Sequence, residues 1–414
     1  MNAKIARDRE AGLAVLKPDA KDLERGLALH REGPVIESYG FVPMGSPDRA
    51  TALKALDEGM PAVAFDDLLE EMRQTRVVHD PEERAEALEA WEASGLHGLL
   101  LCAGQEDATP ERLLQRMARY TYMLDGLREH LVRALSAEDI EAARKAGKRA
   151  VVLTCNAVPL ANRWVYEYDE LYPLRLFYQL GARMMHLCYQ RRNAIGDGCG
   201  EPGNAGLSEF GKAVVREMNR LGVLVDLAHS GWRTCLEAAR ASTRPVVVSH
   251  SGAHALNAHI RLKPDEVIKA VAETGGYVGV VAIPHFLGRS GDLNALLDHV
   301  AYIAKLAGPD HVAIGTDVSY TTQACEKAFE GWPPHKSPPR WYSLWPAGSK
   351  PSEGKYEPWQ RQSLSWTNRP LFTVGLAQRG FKDEEIRKII GGNVLRVLRE
   401  VQKDTSPTWR AWKP

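Results

Sequence analysis

Two imidazoles and a carboxylate occupy equivalent places in this 414-residue chain. His229 follows the run Leu224-Val-Asp-Leu-Ala, His250 follows Pro245-Val-Val-Val-Ser, and Asp317 follows His311-Val-Ala-Ile-Gly-Thr. Each stands where a strand-like run gives way to a loop. Imidazole nitrogen and carboxylate oxygen are the ligands that a zinc-type cation takes, and three protein ligands leave a position open for water. One such residue could merely satisfy a local hydrogen bond, but three at matching positions favour a metal site. Asp317 would act there as ligand or as general base, not both.

The elements that must position these groups alternate along the chain. Strand-like runs fall at 34–41, 95–104, 148–157, 182–190, 224–229, 244–251, 275–283 and 311–318, with amphipathic helical stretches between them. Ser136 caps a helix rich in early acids, Ser208 opens one that ends at Gly222, and Pro264 starts one running to Glu273. Eight β-then-α units predict a (β/α)8 TIM-type barrel, whose post-strand loops build the active site. An open doubly wound sheet is the alternative, but no glycine-rich phosphate loop supports it. Residues 1–33 read as a helical N-terminal extension, 34–400 as the barrel and 401–414 as a tail. Residues 319–366 follow the eighth strand and contain Trp332, Trp341, Trp345, Trp359 and Trp366. A loop that long, with so much aromatic surface to bury, predicts a lid over the barrel mouth.

Composition narrows the partners. Lys+Arg and Asp+Glu both number 53, so no basic field favours nucleic acid. No apolar run reaches the ~18 residues of a membrane span, and the charged start lacks a signal-peptide core. Six cysteines without paired spacing suit reduced thiols. The expectation is a soluble cytoplasmic protein acting on a small molecule.

Several stretches resemble the renal (membrane) dipeptidase family, zinc peptidases built on this barrel. The resemblance is strongest over Gly206 to His229. It continues through Pro245 to Ser251, His259-Ile-Arg261, Ser136 to Lys148 and Gly391-Gly-Asn-Val-Leu-Arg396. It implies a site of two zinc ions bridged by a glutamate and a hydroxide. His229 and His250 match the histidines of one ion, Asp317 matches the strand-eight aspartate of the other, and Arg261 matches an arginine that holds substrate carboxylate. It also implies a homodimer.

Elsewhere the family pattern is broken. Tyr39 and Phe41 stand where the resemblance places a strand-one histidine and aspartate, Thr154 where it places the bridging glutamate, and Tyr189 where it places a strand-four histidine. Phenylalanine cannot ligate, and threonine and neutral tyrosine are poor zinc ligands. The expected site is therefore one zinc or other divalent ion on His229, His250 and Asp317, with Arg261, Tyr189 and Tyr39 toward substrate. Glu37, Thr154, Cys155 and His285 are possible substitute ligands, and Asp226 a residue that orients a ligand. His186, His254 and His259 carry no assigned role. The expected function is a dipeptidase-like hydrolase of a small amide. The alternatives are a non-catalytic ligand-binding or scaffold relative, or a different metal-assisted reaction such as decarboxylation.

Overall fold

A computed structural model describes residues 2–104, 109–164, 166–333 and 340–405. Residues 334–339 of the predicted lid and 406–414 of the predicted tail lie outside the described residues. Among the described residues nine parallel strands form: β1 Ile36–Gly40, β2 Gly98–Cys102, β3 Leu131–Arg133, β4 Arg149–Cys155, β5 Ala182–His186, β6 Leu224–Asp226, β7 Val246–Ser251, β8 Val278–Val280 and β9 Val312–Ile314. All but β3 run in the order β1-β2-β4-β5-β6-β7-β8-β9. Backbone bonds from Asp317 N to Tyr39 O (3.2 Å) and from Phe41 N to Val318 O (3.4 Å) bring the last strand back to the first. The result is the (β/α)8 barrel. Unforeseen was β3, a three-residue strand that pairs with β4 off the main path.

Strand alternation divides the core into two layers. Leu100, Val152, Met184, Leu224, Val247 and Ala313 fill the barrel, while Leu101, Val151, Met185, Val225, Val246 and Val312 pack outward against helices. The predicted helix signals fold as read. Ser136 Oγ accepts from Asp139 N, and Ser208 Oγ caps Glu209–Leu221, which ends at Gly222 with φ +79°. Pro264 sits at the N-cap of Asp265–Glu273, one residue outside the predicted first turn.

Near the mouth the barrel is narrow. Ser38 Oγ donates across the interior to Ser249 O at 2.6 Å. A Cβ added at Gly279 or Gly315 would lie 2.0 Å from that same carbonyl, so only glycine fits on β8 and just beyond β9.

The Trp-rich segment is less uniform than a single drape. It contains a helix at Gln323–Ala328, a 3-10 turn at Arg340–Leu344 and a helix at Pro358–Ser363. Trp341 and Trp345 stand over the mouth with Tyr189, Phe286 and Leu262. Trp332 packs instead near Phe65 and Phe329, Trp366 lies edge-on to Trp91, and Trp359 is exposed. The N-terminal helices, Ala3–Leu16 and Ala20–Glu32, pack against the helices Pro358–Ser363 and Arg369–Gln378.

Candidate functional site

β6 and β7 deliver two of the predicted ligands to one point. His229 lies three residues beyond β6, and His250 lies within β7. Their Nε2 atoms are 3.0 Å apart. Two imidazole nitrogens bound about 2.0–2.1 Å from a tetrahedral zinc stand about 3.3 Å from each other, so the pair is close to a ready chelate. Burial, aided by the nearby Arg261, pushes the pKa of both histidines well below the usual range. They are therefore held neutral, with the lone pairs that ligation requires. His250 Nδ1 lies 2.8 Å from Ser249 Oγ, whereas the buried Nδ1 of His229 has no partner.

The third member of the cluster is His186, which sequence reasoning left without a role. Among the described residues, His186, His229 and His250 form the one group of three whose ligand atoms lie within 4.8 Å of each other. Asp317 lies outside it. His186 and Asp226 face each other across β5 and β6 in register, both inside the barrel and 2.9 Å apart. The other nitrogen of His186 faces Cys155 O at 3.1 Å. Burial alone would raise the Asp226 carboxyl, but His186 and the Ser249 donors hold it below the usual range. Asp226 Oδ1 accepts from Ala228 N and Ser249 N, both at 3.0 Å, so it fixes the backbone just before each of the other histidines.

Aromatic rings close both faces of the histidine pair. Tyr39 stacks on His250 at 4.0 Å and Tyr189 stacks on His229 at 4.2 Å. The Tyr39 hydroxyl donates to Asn156 Oδ1 at 2.7 Å. Phe41 meets Tyr39 edge-on. Arg261 is fully buried beside the cluster. It spends its terminal nitrogens on Ala228 O and His250 O, and its Nε is unpartnered.

The substitute ligands are placed elsewhere. Glu37 pairs in register with Leu99 of the outward layer and is committed to Arg369 and Thr316. Cys155 shares the outward face with Met185, and burial pushes its thiol up. Thr154 faces the interior, but its hydroxyl donates to Leu101 O at 2.9 Å. His285 reaches the lid rather than the cluster, with Nε2 3.2 Å from Gly348 O. His254 lies edge-on to Trp232. These residues fit one ion on histidine nitrogen. A second ion would find Asp317 alone of the expected donors, because Tyr39, Phe41 and Thr154 replace the rest.

Asp317 occupies the mouth with φ +60°, a conformation uncommon outside glycine. Burial raises its carboxyl to about 7, against the pull of Arg261 and His186 and with a push from Glu37. An acid whose folded pKa exceeds its unfolded value costs stability as it ionises, here between pH 3.8 and about 7. Asp317→Asn is therefore expected to raise the melting temperature at pH 8. The gain should shrink steadily toward pH 4, and an equal gain at both pH values would reject this reading.

Part of the Trp-rich segment is held over the cluster. Trp345 Nε1 lies 3.3 Å from the Tyr189 hydroxyl, and its ring stacks on Phe286. His259 Nδ1 accepts from Arg261 N, so its Nε2 carries the proton that it donates to Ser349 O at 3.2 Å. His285 holds the preceding carbonyl, that of Gly348. Cys199, the one partly exposed thiol of six, shares a cavity of about 420 Å³ with Pro346 of the lid. Removing both latches in His259→Ala/His285→Ala should speed thiol-reagent labelling of Cys199 roughly 10-fold, the effect of losing two modest hydrogen bonds. An unchanged rate would mean that these contacts do not hold the lid.

The chain is thus a parallel (β/α)8 barrel with a buried histidine cluster at its mouth. More narrowly, the profile of the membrane dipeptidase family (peptidase family M19) matches residues 93–330, and the chain belongs to that family. The matched stretch holds all three histidines, Arg261 and Asp317, and starts after Tyr39 and Phe41. Dipeptidase tcpJ of Claviceps purpurea (strain 20.1) is 31% identical over 235 residues, 55% of this chain and 47% of that protein. The chain thus spans about half the length of this curated relative. An amidohydrolase from Pseudomonas aeruginosa superposes with a TM-score of 0.67 at 23% identity, covering 92% of this chain and 99% of the other. The probable dipeptidase PvdM from the same organism gives 0.65 at 20%, covering 93% and 99%. A metallopeptidase from Rhodobacter sphaeroides, liganded with a phosphinate mimic of the dipeptide L-Ala-D-Ala, gives 0.60 at 18%, covering 89% and 99%. These likenesses establish the shared fold.

Proposed function

We propose that this protein is a metal-dependent hydrolase of small amides of dipeptide size, working with a single ion, zinc being the natural choice. The observation that carries this reading is the pair of neutral imidazoles with Nε2 atoms 3.0 Å apart at the barrel mouth. His229 and His250 would hold the ion, and His186 is the nearest third nitrogen once it turns from Asp226. When bound, the ion supplies a water acidic enough to attack at neutral pH and polarises the scissile carbonyl. Asp317, whose carboxyl burial raises to about 7, would serve as the general base toward an attacking water and as the general acid toward a leaving amine. Arg261 would meet a substrate carboxylate with the N–H groups, that of Nε among them, that the two backbone carbonyls leave free. Trp345 and Tyr189 exclude bulk water behind the substrate. The family membership supports the reaction class, and the dipeptide mimic carried by the Rhodobacter sphaeroides protein supports the substrate size. No helix among the described residues is long and apolar enough to cross a membrane. Six free cysteines suit a reducing, cytoplasmic setting, and a homodimer belongs to the same reading.

The test is elemental analysis of protein purified without chelator or immobilised nickel, followed by assay on dipeptides such as L-Ala-D-Ala. About one zinc per chain, lost together with turnover in His229→Ala, is the result expected. A second reading rests on the rings of Tyr39 and Tyr189 that cover the histidines. Protein that takes up no metal on titration would favour it, making the old pocket a ligand-binding or scaffold site.

A further inference from the structure

Behind the Trp-rich segment lies a cavity of about 520 Å³, a size typical of small-molecule sites. Its walls come from the N-terminal helix Ala3–Leu16, the loop after β8, the segment after β9 and the stretch from Trp341 to Trp366. The N-terminal helix lies outside the family-matched residues 93–330. None of His186, His229, His250, Arg261 and Asp317 lines the cavity. An aromatic pair joins the two places instead. Trp341 belongs to the cavity wall, and Trp345, edge-on to it at 6.3 Å, meets His229 with its ring. The cavity is distinct from the histidine cluster.

Its walls combine aromatic surface with an unmatched positive charge. Trp341 and Tyr342, edge-on to each other, line it together with Ile283, Pro284 and Val318. Of its cations, Lys4 is matched by Glu326 at 2.6 Å and Arg7 by Asp8 at 3.1 Å, and both acids line the cavity too. Arg361 is left over, with no ion-pair partner among the described residues. Trp366 adds a second donor. It is 1% exposed, yet its indole N–H has no hydrogen-bond partner among the described residues. A buried tryptophan N–H normally finds one, so this wall holds a donor that lacks an acceptor. Ring faces suit an aryl group, and a guanidinium with a neighbouring N–H suits a carboxylate. A single excess cation matches a single negative charge.

We infer that this cavity is a second ligand site, for a small aromatic monocarboxylate, whose occupant ties the N-terminal helix and the Trp341 turn to the barrel. The test is isothermal titration calorimetry of the intact protein with naphthylacetate and with its uncharged amide. The acid should bind once per chain with a dissociation constant of about 0.1 mM, ordinary for a ligand of that size. The amide should bind about tenfold more weakly or worse, since it loses the charge-assisted bond. Arg361→Gln changes an exposed side chain and so should fold as the wild type does. Trp366→Phe keeps a ring but removes the N–H, and a melting curve checks its fold. Each variant should weaken binding of the acid about five- to tenfold. His229→Ala should bind the acid like the wild type, so the result stands apart from whether the chain is a hydrolase. No binding of the acid, equal binding of acid and amide, or unchanged affinity in either folded cavity variant would overturn the inference. So would loss of binding in His229→Ala, which would place the probe at the histidine cluster.

Discussion

Replacing His250 by alanine is expected to remove bound metal and abolish turnover while the barrel still folds. His250 is fully buried, supplies one of the two nitrogens that stand 3.0 Å apart, and lies with one ring face under Tyr39. Alanine removes that nitrogen and opens a hole against Tyr39. It also leaves His229 Nε2 and Ser249 Oγ without the partners seen here. Truncating a buried ring costs about 3–5 kcal/mol, within the roughly 5–15 kcal/mol by which folded domains are stable. Losing a group that only orients a ligand costs about 10–100-fold in affinity or activity, so losing the ligand itself should cost more. Ser249→Ala provides the graded comparison. It removes only the hydroxyl beside His250 Nδ1 and should fall within that 10–100-fold range. Plasma mass spectrometry for metal, dipeptide turnover and a melting curve on both variants separate the outcomes. Turnover that persists in His250→Ala would sink the site assignment, however well the protein folds.

The fold was legible because hydrophobic runs and caps are local signals. Each of the eight predicted strand runs contains a strand, and Ser136, Ser208 and Gly222 do what their positions announce. The site was legible only where it follows simple alternation. Glu37 and Tyr39, two residues apart, would share a face in a regular strand, and Glu37 stood among the substitute ligands as a carboxylate at the mouth of strand one. A register shift between Glu37 and Gly40 breaks the alternation, leaving Glu37 against Arg369 and Tyr39 inside against His250. A similar shift in β7, between Val248 and Ser251, brings Ser249 and His250 together. Such irregularities leave no clear trace in residue type. His186 is different, because its signal was present. Met184 and His186 on one strand run parallel to Leu224 and Asp226 on the next, so one interior face carries two polar residues side by side. Which tryptophans cover the mouth was not legible. That choice is made by contacts with Tyr189 and Phe286, distant in sequence from the segment itself.

Reintroducing the missing donors is expected to raise the metal content from one ion per chain to two. The triple variant Tyr39→His, Phe41→Asp, Thr154→Glu places nitrogen and carboxylate where the family resemblance locates them. Thr154 shares the interior face with Cys102 and Met184, so a longer side chain there points into the barrel. It needs room, and shortening Tyr39 and Phe41 vacates it. The single variant Thr154→Glu should behave very differently. With Tyr39 and Phe41 still in place, a carboxylate in that fully buried layer has no space to reach the ion on the histidines, and an uncompensated buried charge costs several kcal/mol. Its melting temperature should fall sharply and recover little when zinc is added. The triple variant should melt low without metal and gain strongly with it, because ligand that binds only the folded state stabilises in proportion to its affinity. If the triple variant still holds one ion and gains nothing from zinc, positions 39 and 41 are not the equivalents of the lost ligands. The register shift at Ser38 and Tyr39 would then have moved that end of β1 out of reach of a second ion. The loss of the site would reside in the backbone of β1 as much as in its side chains.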